Sequence, residues 1–527
     1  MGSGETAVHL SGVWTGQCRC DGDRLCNEPP PVADHWGTHM PEGAPIPVTN
    51  SRTPLNGTDP FAAFLALRAH LGEAEVFLLE SLDGPAADRR SAVVPFAPLA
   101  EVTITDGVVA VSGDAVVAAA VERAGAEAGL LRDGRLTGDD ALWPFLRAVQ
   151  GLFAVDAAPG AAVTFGFLAF FGYDTVRYIE RLPRLIPGDG RTAEVTLVLP
   201  RGYAVFDLRH GSAELVLNDA PGWAPLDAAA LAAVVDAAPA ADASLPEVPA
   251  PLSVHDSTDP ERFAADVDTC LRHIAVGDIY QVQIGHEIST RSAVDELTVY
   301  RRLRLRNPSP YMCLLPLAGC TVIGASPELF VRVEGDAVSM RPIAGTAPRG
   351  AEAADNAQRV AALSADEKEI AEHVMLVDLC RNDLAKFSRA RTVTVDEMLA
   401  VQDFSHVFHL VSTVSGRRAD GVDAYDVIAA TFPAGTMTGT PKIRAMEIIE
   451  SIETSRRGLY AGVFGLIDFG GRVNLGLCIR TVFRRGDTYT TRASAGVVAD
   501  SKASSEWRET LAKMSAGHWA VSGQELL

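Results

Sequence analysis

Short runs of β-branched and other apolar residues alternate with alanine-rich segments in the first half of the chain. Residues 114–124 belong to the alanine-rich class and predict a helix. The apolar runs are typical of strands and lie at residues 76–79, 102–104, 108–111, 195–199 and 214–217. Because strands alternate with helices, this half predicts a mixed α/β arrangement.

The second half resumes this alternation after a less regular stretch. Residues 236–256 are rich in proline and alanine and mark the clearest internal boundary. Asp259 and Pro260 then predict a helix start, because aspartate is a favourable cap and proline suits the first helical position. Further strands are predicted at residues 280–284, 321–323, 329–333 and 337–340, between long helices.

The whole pattern predicts a large mixed-sheet α/β sandwich in four parts. Residues 1–50 are expected to be an irregular, disordered leader, 51–235 an N-terminal subdomain, 236–256 a linker and 257–520 a second domain. Cys18, Cys20 and Cys26 cluster in the leader. Their spacing lacks a clear fourth zinc ligand, so a loose segment is preferred over a zinc site.

Composition and charge narrow the classes of function. The chain has 527 residues, 47% hydrophobic and 21% charged, as in ordinary globular proteins with a sizeable core. Its formal net charge of -21 opposes binding to nucleic acid or to an anionic membrane, and no apolar run reaches the length of a bilayer span. We expect a reducing cytoplasmic location, because most of the cysteines are scattered through apolar or helical contexts.

Three acidic segments in the second half carry candidate chemistry. Glu328 follows a strand and a proline-directed turn, and Glu372 lies on a predicted helix ahead of an apolar stripe. Glu506 and Glu509 are three residues apart and therefore share one helix face. Paired carboxylates on a helix suit a hard cation such as Mg2+. Each segment taken alone is more typical of a solvated acidic surface.

Longer motifs, taken in their order along the chain, are far more specific. Residues 341–350 contain PIAGT, 367–383 contain AEHVMLVDLCRND, and 404–412 read FSHVFHLVS. Residues 432–446 read FPAGTMTGTPKIRAM, 457–462 read RGLYAG, 479–481 read IRT, and 495–501 read AGVVADS. With these motifs the chain resembles component I of anthranilate synthase and its relatives, the aminodeoxychorismate, isochorismate and salicylate synthases, over roughly residues 75–515.

The resemblance implies an α/β sandwich of the anthranilate synthase component I type, with chorismate bound by residues 257–520. Glu328 would be the general acid that protonates the departing 4-hydroxyl, and His409 would lie against the ring. Mg2+ would neutralise the ring carboxylate, and its ligands would be Glu372, Glu506 and Glu509. The other implied substrate-binding residues are Gly345, Thr346, Thr436, Tyr460, Arg480, Gly496 and Lys513.

Two positions indicate the nucleophile. In this family a lysine in place of Ala344 attacks the substrate covalently, and a lysine in place of Gln281 activates water. The chain has neither lysine, so we expect ammonia to add directly at C2. No segment resembles a glutaminase nucleophile elbow, so the ammonia would come from a separate glutamine amidotransferase subunit or from ammonium salt. The assembly would be a homo- or hetero-oligomer.

The resemblance leaves the final product open. Amination gives 2-amino-2-deoxyisochorismate, also called 2-amino-4-deoxychorismate, and anthranilate synthases then eliminate pyruvate. Thr440, Cys478 and Ser494 are bulkier than the residues usual in the family, and Gly285-His286 replaces the usual Ser-Gln. This bulk favours an enzyme that stops at the amino intermediate, for specialised, antibiotic-type biosynthesis. The alternatives are an anthranilate synthase for tryptophan biosynthesis and, in another class, an inactive scaffold subunit for an amidotransferase.

Two more segments resemble the tryptophan feedback site of regulated family members. They read LLES at residues 78–81 and NPSPYM at 307–312. Residues 90–94 depart from the usual RYSF pattern, so we expect only a vestigial feedback site. Its residues would be Leu79, Glu80, Ser81, Pro310, Tyr311 and Met312.

Overall fold

The strands form one connected sheet system within residues 45–57, 59–156 and 161–527, the part of the chain that this computed structural model describes. The strands are β1 (Ile46–Leu55), β2 (Leu78–Glu80), β3 (Ser91–Thr105), β4 (Val108–Gly113), β5 (Leu131–Arg132), β6 (Arg135–Leu136), β7 (Phe153–Val155), β8 (Gly166–Phe171), β9 (Val195–Asp207), β10 (Ser212–Asp219), β11 (Ser253–Asp256), β12 (Gln281–Arg291), β13 (Tyr311–Leu317), β14 (Cys320–Ser326), β15 (Leu329–Glu334), β16 (Ala337–Met340), β17 (Ile343–Pro348), β18 (Thr394–Asp403), β19 (Val407–Arg417), β20 (Gly439–Thr440), β21 (Val463–Asp468), β22 (Val473–Leu477), β23 (Thr481–Arg485) and β24 (Thr488–Val497).

The helices cover the sheet system at several places. They are α1 (Pro60–Leu71), α2 (Ala115–Glu127), α3 (Leu142–Gly151), α4 (Ala228–Asp236), α5 (Pro260–Ala275), α6 (Glu296–Arg306), α7 (Ala353–Ala365), α8 (Glu367–Ala385), α9 (Ala424–Thr431), α10 (Lys442–Ile452) and α11 (Ala503–Ser522). Among the described residues, no helix is both long and apolar enough to cross a bilayer.

Local sequence signals account for the start of several helices. The Asp259 side chain accepts a hydrogen bond from the backbone N–H of Arg262, and Pro260 occupies the first position of α5, as predicted. Asp114 caps α2 in the same way, through the N–H groups of Val116 and Val117. Both helices therefore begin where their sequence predicts.

The predicted leader of residues 1–50 is too long at its C-terminal end. Residues 1–44, which include the three clustered cysteines, lie outside the described residues. Ile46–Leu55, however, forms β1, which pairs antiparallel with β10. Val48 and Leu55 of this strand are buried, so apolar contact with the sheet holds a segment whose own sequence has little periodicity.

The two predicted domains contribute strands to the same sheet. Residues 237–252, inside the predicted linker, contain no helix or strand, and the last residues of that linker form β11. Strand β2 pairs with β13, and β8 pairs with β21. Strands from either side of the linker are therefore hydrogen-bonded to each other.

Two pairs of strands, each covered by a helix, position the candidate site. Strand β12 pairs antiparallel with β24 from residue 282 to residue 291, and α11 packs on both strands. Helix α8 packs on β17 and β19. Ala344 of β17 lies opposite Leu410 of β19, which brings the PIAGT motif beside the FSHVFHLVS motif.

Candidate active site

Strands β12 and β24 form one wall of the candidate site. A Cβ atom at Gly496 would lie 2.6 Å from Nε2 of Gln281 and 2.9 Å from Nε2 of Gln283, so glycine at this position lets both amide groups approach β24 closely. Gln281 is 4% exposed. Its Oε1 is buried and has no hydrogen-bond partner among the described residues. This oxygen is available to accept a hydrogen bond from a small N–H donor.

Ser494, two residues before that glycine, joins several predicted site residues. Its hydroxyl accepts a hydrogen bond from the Tyr460 phenol at 3.1 Å, and its carbonyl accepts one from Nζ of Lys513 at 2.8 Å. Lys513 also forms a 2.6 Å ion pair with Glu509, one turn earlier on α11. Strand β24 therefore holds helix α11 beside residues 453–462, which connect α10 to β21 and are called the Tyr460 loop below.

Glu328, the predicted general acid, is a buried carboxyl group just before β15. It is 7% exposed, and its Oε1 accepts a 3.0 Å hydrogen bond from the hydroxyl of Thr436. Burial raises the pKa of Glu328 to about 8, against the opposing effects of Thr436, Lys513 and Arg480. A carboxyl group with this pKa is protonated near neutral pH and can donate a proton to a leaving oxygen.

Strand β17 brings Gly345 and Thr346 to His409 on β19. Nδ1 of His409 lies 2.9 Å from the carbonyl oxygen of Gly345 and 3.1 Å from Oγ1 of Thr346. Because a carbonyl oxygen only accepts, Nδ1 donates and Nε2 is unprotonated in the neutral ring. Burial lowers the pKa of His409 to about 4, so the ring is neutral at physiological pH. Ala344, also on β17, offers no nucleophilic atom.

Arg480 has a backbone conformation that is uncommon for its residue type. Its φ is 52°, in the left-handed region that costs a non-glycine residue about 1 kcal/mol. Within the described part of the chain, its guanidinium has no hydrogen bond or ion pair. Its electrostatic neighbours are Tyr460, Glu509 and Glu328. An unpaired guanidinium suits bidentate binding of a carboxylate.

The carboxylates predicted to hold a metal lie on two helices. Glu372 of α8 is close enough to Glu509 of α11 to interact electrostatically, as is Glu506. Burial raises the pKa of Glu372 to about 6 and also raises the pKa of Glu506. Oε1 of Glu372 is buried without a hydrogen bond, although Nζ of Lys368 lies 3.5 Å away.

These residues suit Mg2+, whose ligand shell is completed by water and substrate, better than they suit a metal ion held by protein side chains alone. Among the residues that the structure describes, no group of three His, Cys, Asp or Glu side chains is arranged to hold a metal ion by itself. Mg2+ is usually bound through one or two carboxylates, with waters and substrate oxygens completing its shell. The buried Oε1 of Glu372, which has a 3.5 Å ion pair with Lys368 but no hydrogen bond among the described residues, and the acidic face of α11 suit such an incomplete site.

Sequence reasoning missed Lys368, which lies among these carboxylates. Its ammonium interacts with Glu372, Glu506 and Glu369, and these charges raise its pKa against the effect of burial. The four-residue spacing between Lys368 and Glu372 predicts a pair on one helix face and could have indicated this contact.

A buried charge network that includes residues of the Tyr460 loop was also missed. Glu453 pairs with Arg457 at 2.8 Å and with Arg492 at 2.7 Å. Arg457 further donates to the main-chain carbonyls of Met437 and Gln283. The network joins distant parts of the chain, and only the spacing of Glu453 and Arg457 is visible as a local pattern.

Most of the predicted feedback residues lie around one cavity of about 120 Å3. Those that line it are Leu79, Glu80, Pro310, Tyr311 and Met312. Ser81 is not part of this lining; it is buried, and its hydroxyl has no hydrogen-bond partner among the described residues. The carboxylate of Glu80 accepts hydrogen bonds from Tyr300 at 2.6 Å and from Arg304 at 2.9 and 3.1 Å. Its charge is thus already paired inside the protein.

The sequence is similar to a single family along most of its length. The profile of the family described as chorismate binding enzyme matches residues 115–517. The chain therefore belongs to this family of chorismate-binding enzymes. A 2-amino-4-deoxychorismate synthase from Streptomyces globisporus is 54% identical over 495 residues, which cover 92% of this chain and 98% of the relative. Anthranilate synthase component 1 from Mycolicibacterium smegmatis is 38% identical over 411 residues, which cover 74% of this chain and 78% of the relative.

Solved structures confirm the predicted fold. Anthranilate synthase component I from Streptococcus pneumoniae matches with a TM-score of 0.65 and 28% identity, covering 81% of this chain and 92% of that one. The menaquinone-specific isochorismate synthase from Escherichia coli shares the fold, with a TM-score of 0.61 and 17% identity over 91% and 95% of the two chains. The α/β sandwich of the anthranilate synthase component I type is therefore the fold of this protein.

Proposed function

We propose that this protein aminates chorismate at C2 with ammonia and releases 2-amino-4-deoxychorismate. The observation that carries the proposal is the 54% identity to a 2-amino-4-deoxychorismate synthase over 92% of this chain and 98% of the relative. The candidate site supports it, because one region holds a carboxyl group with a raised pKa, an unpaired guanidinium and facing carboxylates.

In the proposed reaction the nitrogen of ammonia bonds to C2, the two ring double bonds shift to C1=C6 and C4=C5, and the C4–O bond breaks so that water leaves. Glu328 gives its proton to the departing 4-hydroxyl oxygen, and the Thr436 hydroxyl orients the Glu328 carboxyl group. His409 lies against the ring as a neutral imidazole, held by Gly345 and Thr346. The added nitrogen loses a proton to solvent after attack, so no basic residue is needed at C2.

The proposed substrate contacts follow from the charged groups around this centre. Arg480 and Tyr460 bind the enolpyruvyl carboxylate, while Gly345, Thr436, Gly496 and Lys513 adjoin the ring carboxylate. Glu372, Glu506 and Glu509 would hold Mg2+, which when bound neutralises that ring carboxylate.

The choice of ammonia depends on Gln281 and Ala344. The unpaired Oε1 of Gln281 can accept a hydrogen bond from ammonia, whereas its amide cannot deprotonate water. Ala344 cannot form a covalent adduct. The ammonia would be supplied by a separate glutamine amidotransferase subunit. We expect this reaction in the cytoplasm, as a step of a specialised, antibiotic-type pathway.

Two contacts around Tyr460 favour release of the amino intermediate before pyruvate is eliminated. The Ser494 hydroxyl holds the Tyr460 phenol. The main chain of Cys478 accepts a hydrogen bond from Ala461 at 3.0 Å and donates one to Gly462 at 2.7 Å. A Tyr460 loop held on both sides opposes the reorientation of the enolpyruvyl group that elimination requires.

The deciding experiment is an incubation of the purified protein with chorismate, Mg2+ and ammonium at mildly alkaline pH. We expect mass spectrometry to detect an aminated product that retains the enolpyruvyl group, without anthranilate fluorescence. Anthranilate and pyruvate would instead identify an anthranilate synthase, in line with the 38% identical relative. No turnover by a folded protein that binds chorismate would favour the scaffold.

A pair of substitutions tests why the reaction stops. We expect Ser494→Gly, which removes the hydroxyl group that holds the Tyr460 phenol, combined with Cys478→Ala, which removes the bulk of the thiol but keeps the main-chain bonds, to produce detectable anthranilate fluorescence. Cys270→Ala is the matched control, because Cys270 is equally buried but lies in a separate apolar cluster under α5. Fluorescence from the control, or none from the double variant, would refute this explanation.

A further inference from the structure

His286 is a buried histidine on the face of β12 opposite to Gln281, since successive strand residues point to opposite faces. It is 2% exposed. Its ring stacks on Trp507 of α11, with centroids 4.4 Å apart and planes 10° apart, and meets Phe263 of α5 edge-on at 5.9 Å. The ring is thus enclosed by two helices that cover the far side of the site wall.

Both ring nitrogens of His286 also have a hydrogen-bond partner. Nδ1 lies 2.7 Å from Oδ1 of Asp256 on β11, and Nε2 lies 2.8 Å from Oγ1 of Thr510 on α11. Thr510 is itself buried, and its Oγ1 lies 2.7 Å from the main-chain carbonyl of Trp507. A ring stacked on one face and hydrogen-bonded at both nitrogens has one orientation available to it.

Thr510 lies among the charged residues of α11 that were predicted to bind the cation and the substrate. It directly follows Glu509, lies four residues after Glu506 and three before Lys513. Residues three and four apart are neighbours on a helix, so the rotation of α11 that satisfies Thr510 also sets the directions of these charged side chains. A contact that fixes Thr510 therefore fixes the acidic face of the helix.

We propose that His286 is a positioning residue that sets the rotation of α11 on β12 and thereby aims Glu506, Glu509 and Lys513 at the substrate. The inference rests on the proposed Mg2+-dependent function. Strand β12 then carries Gln281 on one face and His286, which positions the proposed cation-binding helix α11, on the other.

Three substitutions distinguish the hydrogen bond of His286 with Thr510 from its hydrogen bond with Asp256. In His286→Gln the amide nitrogen reaches the place of Nε2 and retains the bond to Thr510, whereas in His286→Asn it reaches only the place of Nδ1 and Asp256. Thr510→Val removes the hydroxyl group and keeps the shape of the side chain. Mn2+ serves as the probe, and its binding is followed by electron paramagnetic resonance with chorismate present and ammonium absent.

We expect His286→Asn and Thr510→Val to weaken Mn2+ binding about tenfold, the lower end of effects seen when partners of metal ligands are removed. The Mg2+ concentration for half-maximal amination should rise in parallel, while His286→Gln stays within about threefold of the unmodified protein. If His286→Asn does not fold, Thr510→Val carries the test alone.

The matched control is Thr290→Val. Thr290 contacts His518 at 3.4 Å and also joins β12 to α11, but further along both elements. We expect a lower melting temperature with unchanged Mn2+ binding. Equal weakening in this control, or unchanged binding in both His286→Asn and Thr510→Val, would overturn the inference. If the unmodified protein neither binds Mn2+ nor responds to Mg2+, the proposed function fails first and the inference fails with it.

Discussion

The raised pKa of Glu328 is the residue-scale property on which the proposed chemistry most depends. We expect kcat/KM for amination to fall as the pH rises through about 8, because the carboxyl group then loses the proton it must donate. Glu328→Gln should reduce kcat about 100- to 10,000-fold, the usual contribution of a general acid. Initial rates across the pH range test both expectations. A variant that keeps its activity would remove Glu328 from the mechanism.

The same carboxyl group predicts a change in stability. Its folded-state pKa of about 8 lies above the ordinary value of 4.5, so the stability it contributes is complete below about pH 4.5 and is lost as the pH rises through 8. We therefore expect Glu328→Gln to melt at a higher temperature than the unmodified protein at pH 8.5, with the difference vanishing near pH 5. The gain should be about 2–5 kcal/mol. Thermal melts at both pH values measure it.

Gln281 is the residue expected to decide between ammonia and water. We predict that Gln281→Lys produces detectable isochorismate from chorismate and water, since burial lowers the pKa of a lysine and allows it to act as a base. Gln283→Lys is the control: it adds the same charge two residues along, opposite Gly496, and should form none. Chromatography of the products without ammonium makes the comparison. A folded Gln281→Lys variant without isochorismate would count against the assignment.

Single elements were predicted well where the local sequence decides them. Strand β16 matches the predicted residues 337–340, and α5 begins at its predicted cap. Strand β12 was predicted to end at residue 284 but continues to Arg291, because the polar His286 and Thr290 are buried on the same face as Ile288 and break the apolar pattern that the prediction followed. Local patterns fail where pairing with another strand supplies the stability.

The site itself was predicted in its residues but not in its contacts. Motif resemblance supplied Tyr460 and Lys513, yet their meeting at Ser494 depends on the register of β24. Lys368 pairs with Glu372 at a four-residue spacing that the sequence does show, but its electrostatic interaction with Glu506 joins two helices distant in sequence. Such convergence is a property of the folded chain and leaves no signal in a short window of sequence.

Strands β2 and β13 form an element-scale feature that bears on regulation. The carboxylate of Glu80 is already bound by Tyr300 and Arg304, so its charge is balanced within the protein and its attraction for the ammonium group of an amino acid is reduced. We expect tryptophan at about 1 mM, which would saturate a site of micromolar affinity, to leave the amination rate unchanged. A tryptophan-regulated anthranilate synthase, titrated in parallel, controls the assay. Inhibition at micromolar tryptophan would contradict this expectation.

At the scale of the whole molecule, the source of ammonia is the property to test. We expect glutamine alone to give no product, whereas ammonium supports a rate that rises with pH up to about 8, as more of it becomes free ammonia, and falls above that pH as Glu328 loses its proton. Adding a glutamine amidotransferase subunit should restore turnover with glutamine, and the two proteins should elute together in gel filtration. Turnover with glutamine by the isolated chain would show that it contains its own glutaminase.

The pairing of β8 with β21 has a consequence for how the protein is made. All six residues of β8 are buried in the finished sheet, and one edge of the strand is covered by β21 from far along the chain. On the ribosome, β8 emerges long before its partner has been synthesised. The nascent chain therefore carries an apolar strand with one open edge through most of translation, the kind of segment that aggregates. The yield of this enzyme should therefore depend on chaperone binding to the nascent chain and on how fast the ribosome translates the residues beyond 256.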